Sequence, residues 1–395
     1  MDSSVVEKAK KKETPARLDL VVFGASGYTG KHVVQELARI CRSYPGFTWA
    51  VAGRNRERLE MVLRDAAKKS GSDLSSVRII IADVDDEASL MSMCQQAKLV
   101  LNCCGPFVKF GQPVVETSIR CGAHYVDVSG EKLFLEILQQ KYDQMAREAG
   151  VAVVTTCGLS SVPADLGVIY LQNNFGGTLN SVESYLIMHF PQKLLAERTK
   201  GVVRYSSWES MINRCLVHKR LNRWCLPFPG TDAAVVDITQ RHLLSAEQKR
   251  PAQYKAYITF PSICTAFGVV LAGALLFMFS KIPCLRKLLL NYPRICSFGI
   301  VTYDHPEDGV MDDMCFQYEM FGEGWVTGDD VEQTPPSKKV VGRVSIQTIR
   351  NNNCFSGELK TTQKFLEKCI WQSIFFIAII SQIIGLPLAT ALRSE

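Results

Sequence analysis

The sequence lacks several features that mark other classes of protein. No apolar signal region stands at the N-terminus, so we expect a chain that is not secreted and that keeps its thiols reduced. The 14 cysteines contain no CxxC pair, and the adjacent Cys103 and Cys104 would point to opposite faces of a strand. We therefore expect no metal site. Basic stripes interleaved with aromatic residues are also missing, which excludes the usual nucleic-acid interface.

The composition is typical of a folded chain with two domains. Its 395 residues are 47% hydrophobic and only 21% charged, which is ample material for buried cores. The net charge of +6 is modest. Four lysines lie in a polar leader, residues 1–15, that we interpret as disordered and solvated. Weak attraction to anionic lipid is the alternative interpretation of this leader.

Short apolar runs alternate with helix-like segments over the first 156 residues. The apolar runs are 18–23, 48–52, 77–82, 99–103, 124–128 and 151–155. The helical patterns after the first turn are 56–69, 87–96, 113–121 and 133–149. This alternation predicts an α/β fold of Rossmann type, a doubly wound parallel sheet over residues 16–156.

The turn after the first strand carries the strongest chemical signal. It reads Gly24-Ala-Ser-Gly-Tyr-Thr-Gly30 and lies between a strand and a helical pattern. Backbone N–H groups at a helix N-terminus bind pyrophosphate, and glycines let the phosphates approach. The GxxGxxG spacing departs from the common GxGxxG, and a merely tight turn is the alternative. Three hydroxyl side chains in the loop add candidate phosphate contacts: Ser26, Tyr28 and Thr29.

The end of the second strand indicates which dinucleotide binds. NAD-binding proteins usually carry an acidic residue there, whereas a basic residue pairs with the 2′-phosphate of NADP. This strand ends in Val51-Ala-Gly-Arg54, so the sequence favours NADP over NAD. A surface arginine at a helix start is the alternative.

Other strand ends supply weaker candidates, because ligands of open α/β sheets bind beyond the carboxyl ends of the strands. Asp83 is placed to meet the adenine side. Gly105 and Pro106 would let the backbone approach the nicotinamide ribose, with Phe107 as a wall, although an ordinary turn is an equal alternative. Glu131 either faces substrate or, as we favour, is a first-turn acid of the next helix.

Five blocks of sequence resemble the saccharopine dehydrogenase-like oxidoreductases, a eukaryotic family similar to mycobacterial trans-acting enoyl reductases. The resemblance runs from about residue 16 to about residue 345 and includes the glycine loop and the Arg54 strand. It implies a Rossmann domain, a second α/β domain over residues 157–347, a nicotinamide cofactor and association with lipid droplets or membranes. The remaining blocks are Val100-Leu-Asn-Cys-Cys-Gly-Pro106, Asp127-Val-Ser-Gly-Glu131 and Val162-Pro-Ala-Asp-Leu-Gly-Val-Ile-Tyr170.

Two positions depart from the family pattern. Family members tend to read Gly-Phe-Asp-Ser where this chain reads Gly158-Leu-Ser-Ser161, so an acidic side chain is missing between the domains. After about residue 347 the sequence becomes a divergent tail, residues 348–395. The resemblance therefore does not carry over to proton transfer by that acid or to the usual C-terminal closure of the fold.

The second region contains a long apolar segment. Strands are expected at 181–188, 253–259 and 314–321, with a turn at 230–232. Residues 256–280 carry no charge and are followed by Lys281, Arg286 and Lys287. We expect insertion into one membrane leaflet, because a span would split the domain. A span and a buried core helix are the alternatives. Residues 369–392 are a further candidate anchor.

Two classes of function follow. The first is an NADP-dependent oxidoreductase acting on a lipid-like substrate at the cytosolic face of a membrane or lipid droplet, in lipid or glycolipid metabolism. The alternative is a catalytically inactive nucleotide-binding protein of that surface. No catalytic residue is assigned, since His124 and His189 suit core or surface roles. The sequence does not determine the substrate, the reaction direction or the oligomeric state. A homo-oligomer is one alternative.

Overall fold

The first part of the chain forms a parallel sheet of six strands. The computed structural model describes residues 16–158, 160–189, 203–204, 218–220, 223–228, 230–296, 301–302, 315–329 and 331–346. The strand order β3-β2-β1-β4-β5-β6 reverses between β1 and β4, as in a Rossmann domain, and confirms the predicted topology. The strands are β1 Leu18–Phe23, β2 Trp49–Gly53, β3 Arg78–Ile81, β4 Ala97–Asn102, β5 His124–Asp127 and β6 Val153–Val154.

Helices cover both faces of this sheet. Side chains alternate along β1, so that Leu20 and Val22 face one helical layer while Val21 and Phe23 face the other. Helices α1 and α2 contribute to the first apolar cluster, and α3, α4 and α5 contribute to the second. The five helices are α1 Tyr28–Ile40, α2 Arg56–Ser70, α3 Glu87–Gln95, α4 Phe107–Arg120 and α5 Lys132–Ala149.

Helix α4 begins earlier than its sequence pattern predicted. The expected start was residue 113, but the helix begins at Phe107 and contains Pro113 in its interior. Proline favours the first turn of a helix, which explains the error. The earlier start depends on a carboxylate that reaches α4 from elsewhere in the chain, as described below.

The second region is a mixed six-stranded sheet with order β14-β13-β7-β11-β10-β9. Strand β7 pairs parallel with β11 and antiparallel with β13. The three expected strands are present in β7, β11 and β13, whereas the pattern did not predict β14. The strands are β7 Gly177–His189, β8 Val203–Arg204, β9 His218–Arg220, β10 Arg223–Pro227, β11 Gln253–Phe260, β12 Val301–Thr302, β13 Cys315–Val326 and β14 Lys338–Ile346, with β8 paired to β12.

Two helices pack on this second sheet. Helix α6, Ser161–Asn174, and helix α7, Asp232–Glu247, share an apolar cluster with β7 and β13. The turn expected at 230–232 is in fact the start of α7, because Asp232 is its first residue. The domain boundary expected after residue 156 falls in the connection between β6 and α6.

The predicted apolar segment divides between two elements. Its first residues complete β11, and the rest forms helix α8, Ile263–Lys281, which begins after Ser262. The Ser262 hydroxyl oxygen accepts a hydrogen bond from the Cys264 N–H at 3.1 Å and so caps the helix. Two short helices follow: α9 Pro283–Asn291 and α10 Pro293–Cys296.

Helix α8 exposes its apolar side chains. Phe267 is 65% exposed and Met278 is 54% exposed, which contradicts the alternative of a buried core helix. In the part of the chain that the structure describes, no helix combines the length and apolarity needed to cross a bilayer. The leader 1–15 and the tail from residue 347, including the candidate anchor 369–392, lie outside the described residues.

Candidate functional site

The glycine loop has the shape that its sequence predicts. Gly24 adopts φ +78°, a left-handed conformation that favours glycine, and its N–H donates to the Ala52 carbonyl at 3.0 Å. A Cβ on Gly30 would lie 2.3 Å from the Gly24 oxygen, so only glycine lets α1 pack this closely on the loop. The Gly27 N–H donates to the Gly24 carbonyl at 2.9 Å and closes the turn.

The N-terminus of α1 suits an anionic ligand. Its N-cap is Gly27, which supplies no side-chain acceptor, and its first turn contains no acidic residue. The positive end of the helix dipole is therefore not neutralised by its own first turn. Ser26, Tyr28 and Thr29 are half-buried beside it, and the Tyr28 ring contacts the His32 ring at a centroid distance of 4.8 Å. This cradle fits a pyrophosphate.

The ends of β2, β3 and β4 meet at this loop, which itself follows β1. A Cβ on Gly24 would lie 3.0 Å from the Cys103 carbonyl carbon and the Cys104 nitrogen, so the loop after β4 touches the glycine loop. Burial raises the pKa of the Cys104 thiol, Arg54 opposes that rise and Asp83 adds to it. The structure thus brings together the predicted residues of β1, β2, β3 and β4.

Arg54 is exposed and stands between β2 and α2. The next residue, Asn55, caps α2 by accepting a hydrogen bond from the Arg58 N–H at 2.9 Å. This cap starts the helix just after Arg54, which stays exposed at the end of β2. An exposed guanidinium at this strand end is where a 2′-phosphate would be recognised.

The other residues predicted to contact the cofactor are Asp83 and the loop after β4. Asp83 Oδ1 accepts a hydrogen bond from the Asp85 N–H at 3.2 Å. Gly105 and Pro106 are exposed and joined by a cis peptide bond. The Phe107 ring is 8% exposed and packs against Phe134 at a centroid distance of 5.8 Å, on the core side of the loop. The cofactor contacts expected of these residues stay predictions.

Glu131 occupies a position that neither sequence interpretation described. It is the N-cap residue of α5, yet its side chain makes no capping bond to α5. Its two carboxylate oxygens accept hydrogen bonds from the N–H groups of Phe107 and Val108, at 2.8 and 2.9 Å. We expected the Glu131 side chain to act at the first turn of α5. This was wrong, because the side chain caps α4 instead. The pattern missed this contact since the partners lie 23 and 24 residues apart.

A buried polar network supports the edge of the sheet. Asp127 Oδ1 accepts hydrogen bonds from the N–H groups of Ser129 and Thr156, both at 2.9 Å. Burial raises the pKa of Asp127, and these hydrogen bonds oppose the rise. Thr156 has φ +62°, which is uncommon for a β-branched residue, so its hydrogen bond helps to hold a strained backbone. Asp127 therefore ties the connection between the domains to the cofactor edge.

His124 also has a structural role. Its Nδ1 accepts a hydrogen bond from the Ala152 N–H at 2.9 Å, and burial lowers the pKa of the imidazole. The side chain of His189 lies outside the described part of the structure. Among the described residues, no three His, Cys, Asp or Glu side chains are arranged to hold a metal ion.

A carboxylate stands near the position where the family acid is missing. Ser161 Oγ donates a hydrogen bond to Asp232 Oδ1 at 3.0 Å, and the Tyr318 hydroxyl donates to the Ser160 carbonyl at 3.2 Å. Burial raises the pKa of Asp232, and its hydrogen bonds with Ser160, Ser161 and Tyr318 oppose the rise. The sequence could not indicate this contact, because Asp232 is 71 residues away from Ser161.

Comparison with known proteins agrees with this geometry. The family model described as the saccharopine dehydrogenase NADP binding domain matches residues 20–155. The saccharopine dehydrogenase-like oxidoreductase of Mus musculus is 36% identical over 82% of this chain and 83% of its own length. The lipid droplet localized protein of Caenorhabditis elegans is 35% identical over 78% of this chain and 79% of its own length.

Two further relatives extend the range of the similarity. A probable mitochondrial saccharopine dehydrogenase-like oxidoreductase of Arabidopsis thaliana is 31% identical over 83% of each chain. A putative trans-acting enoyl reductase of Mycobacterium tuberculosis is 32% identical over 40% of this chain and 36% of its own length. The glycine cradle and the helix N-terminus fit NADP as the cofactor. The chain belongs to the saccharopine dehydrogenase-like oxidoreductase family.

Proposed function

We propose that the protein is an NADP-dependent oxidoreductase that acts on a lipid-like substrate at the cytosolic surface of a membrane or lipid droplet. The observation that carries the proposal is the combination, in one chain, of a dinucleotide cradle and an exposed apolar helix. A role in lipid or glycolipid metabolism follows from that combination. The name of the worm relative supports a lipid droplet, whereas the plant relative is named as mitochondrial.

In this proposal, different residues at the carboxyl edge of the first sheet bind different parts of the cofactor. Backbone groups of the glycine loop hold the pyrophosphate, with the hydroxyls of Ser26, Tyr28 and Thr29 beside it. Arg54 binds the 2′-phosphate and Asp83 lies on the adenine side. The loop from Gly105 to Phe107 lies on the nicotinamide side. NADP supplies the hydride chemistry when it is bound, and the chain supplies binding and orientation.

The apolar surface supports contact with lipid. Phe267, Leu271 and Met278 of α8 are each at least 49% exposed. Lys281 ends the helix, with its Nζ 5.0 Å from the centroid of the Phe277 ring. Apolar side chains followed by cations suit insertion into one leaflet, because the cations then meet the lipid headgroups. Both flanks of α8 belong to the second sheet region and would stay on one side.

The cofactor assignment is tested by binding. We expect the wild-type protein to bind NADPH more tightly than NADH, because Arg54 pairs with the 2′-phosphate. Arg54→Ala should weaken NADPH binding about tenfold and change NADH binding less than about twofold. Isothermal titration calorimetry measures both. Arg64→Ala, which removes an exposed arginine within α2, is the matched control. Equal affinities for the two cofactors in the wild type would contradict the assignment.

Activity requires a separate measurement. NADPH oxidation should be followed with lipid enoyl and lipid keto substrates presented in detergent micelles and in vesicles. Turnover that depends on Arg54 supports the oxidoreductase. Tight NADPH binding without turnover across the panel would favour the second candidate, a nucleotide-binding protein that does not catalyse.

One observation favours that second candidate. Both carboxylates at the carboxyl end of β5 accept hydrogen bonds from backbone N–H groups, Asp127 through Oδ1 and Glu131 through both oxygens. These oxygens act as acceptors for the backbone, which favours a structural role over proton donation. Hydride reduction of an activated double bond with protonation by solvent would still be compatible with it.

A further inference from the structure

Two helices begin at the crevice where the strand order reverses, and their N-termini differ. Helix α1 has a glycine N-cap and no acid in its first turn. Helix α4 likewise receives no side-chain bond from its own N-cap, Pro106, and has no acid in its first turn. However, the Glu131 carboxylate occupies the first two N–H groups of α4, at 2.8 and 2.9 Å.

We propose that Glu131 is a positioning residue for the nicotinamide half of the cofactor. Its carboxylate holds the loop 103–106 in place and neutralises the N-terminus of α4. This inference rests on the proposed placement of NADP in the crevice, and it assigns Glu131 no contact with substrate.

The topology places the loop on the nicotinamide side. A dinucleotide lies across the reversal point between β1 and β4, and the residue after β2 recognises the adenine ribose. Arg54 stands after β2, so the other half of the cofactor extends over β4 and β5. The loop 103–106 follows β4 directly and exposes Gly105 and Pro106 at this place.

Side chains hold this loop at both ends. At its start, Asn102 Oδ1 accepts a hydrogen bond from the Cys104 N–H at 2.9 Å. The Asn102 amide in turn donates to the Tyr125 hydroxyl at 3.1 Å, which ties it to β5. At the other end stand the two Glu131 bonds to α4. The exposed backbone between these ends is therefore fixed before any ligand arrives.

The same carboxylate makes the N-termini of α1 and α4 electrostatically different. Both α1 and α4 present the positive end of a helix dipole at one edge of the sheet. The Glu131 charge cancels that of α4 and leaves α1 as the terminus that attracts pyrophosphate. Glu131 makes no capping bond to α5, of which it is the N-cap, and its carboxylate points to the N-terminus of α4 instead.

The test compares two ligands on the full-length protein. NADPH reaches both halves of the crevice, whereas adenosine 2′,5′-bisphosphate reaches only the adenine half. In Glu131→Gln the amide NH₂ faces a backbone N–H, so one of the two bonds is lost and the anchor of the loop is weakened. We expect the Kd for NADPH to rise about tenfold and the Kd for the bisphosphate to change less than about twofold. The fluorescence enhancement of bound NADPH should fall as well.

Glu136→Gln is the matched control, because Glu136 lies on the same helix in an exposed pair with Lys132 at 3.4 Å. It should bind both ligands as the wild type does. Glu131→Ala, which removes both acceptors, should show at least the loss of Glu131→Gln. An unchanged NADPH affinity in Glu131→Gln, or an equal loss for both ligands, overturns the inference. Failure of the wild type to bind NADPH would instead overturn the proposed function.

Discussion

The helices of the two regions differ in the burial of their apolar side chains. In the first region α5 buries Phe134, Leu138 and Tyr142, each no more than 5% exposed, against the parallel sheet. In the second region α8 leaves Phe267 65% exposed and Met278 54% exposed. Hydrophobic side chains therefore stabilise the fold in the first region and stand on the surface in the second, where the proposed contact with lipid would cover them.

The two regions also bury carboxylates differently. Asp19 of β1 accepts hydrogen bonds from Thr48 and forms an ion pair with Lys98, whose Nζ lies 2.7 Å from Asp19 Oδ1. Burial opposes its ionisation, but these contacts outweigh burial and lower the pKa of Asp19. Among the described residues Asp165 of α6 has one hydrogen-bond partner, the Thr239 hydroxyl at 2.9 Å, and burial raises the pKa of Asp165 to about 6. The first carboxylate stabilises its domain at neutral pH and the second destabilises its own.

The largest expected effect concerns the glycine loop of the first region. In Gly30→Ala the new Cβ would lie 2.3 Å from the Gly24 oxygen, so α1 must move away from the loop. We expect NADPH binding to weaken on the order of 100-fold, measured by fluorescence titration. Gly130→Ala is the control, because a Cβ at Gly130 meets no atom within 4 Å. Full affinity in Gly30→Ala would show that close packing of α1 is not needed.

The apolar surface of the second region is tested on vesicles. Phe267→Glu combined with Met278→Glu places two charges on the exposed face of α8. We expect partitioning onto phospholipid vesicles to fall tenfold or more, roughly, in a flotation assay. The control is Leu133→Glu, since Leu133 is also an exposed apolar side chain, at 58%, but lies on α5 of the first region. An equal loss in the control, or no loss in the double variant, would remove the distinction between the regions.

The smallest expected effect is on stability, and it has opposite signs in the two regions. A pKa raised from 3.8 to about 6 destabilises the fold increasingly as pH rises from about 4 to about 6, by at most about 3 kcal/mol. Asp165→Asn should therefore stabilise at pH 7, by about 1–2 kcal/mol, and have little effect at pH 4.

Asp19 supplies the opposite case. Its lowered pKa contributes stability that is present above about pH 4 and is lost as pH falls through the folded value. Asp19→Asn should therefore destabilise at pH 7, by about 1–2 kcal/mol, with a smaller effect at low pH. Urea unfolding at pH 4 and pH 7, followed by circular dichroism, measures both variants. Shifts of the same sign in the two variants would contradict the comparison.

Much of the first region could be predicted because its signals are local. The order of strands and helices and the left-handed turn at Gly24 follow from patterns within a few residues. The start of α4 was predicted six residues late, since its cap comes from Glu131 across the loop. In the second region the strand expected at 253–259 overlapped the apolar segment 256–280, and only the structure showed where β11 ends and the following helix begins.

The sequence by itself determined the alternation of strands and helices in the first region, the glycine cradle and the arginine that follows β2. These depend on side-chain period, glycine sterics and charge at neighbouring positions. The tertiary structure alone decided that Glu131 caps α4, that Asp127 holds Thr156, and that Asp232 reaches the N-terminus of α6. A carboxylate can satisfy any N–H or hydroxyl donor that the fold brings to it, and no local pattern specifies a donor 23 to 71 residues away.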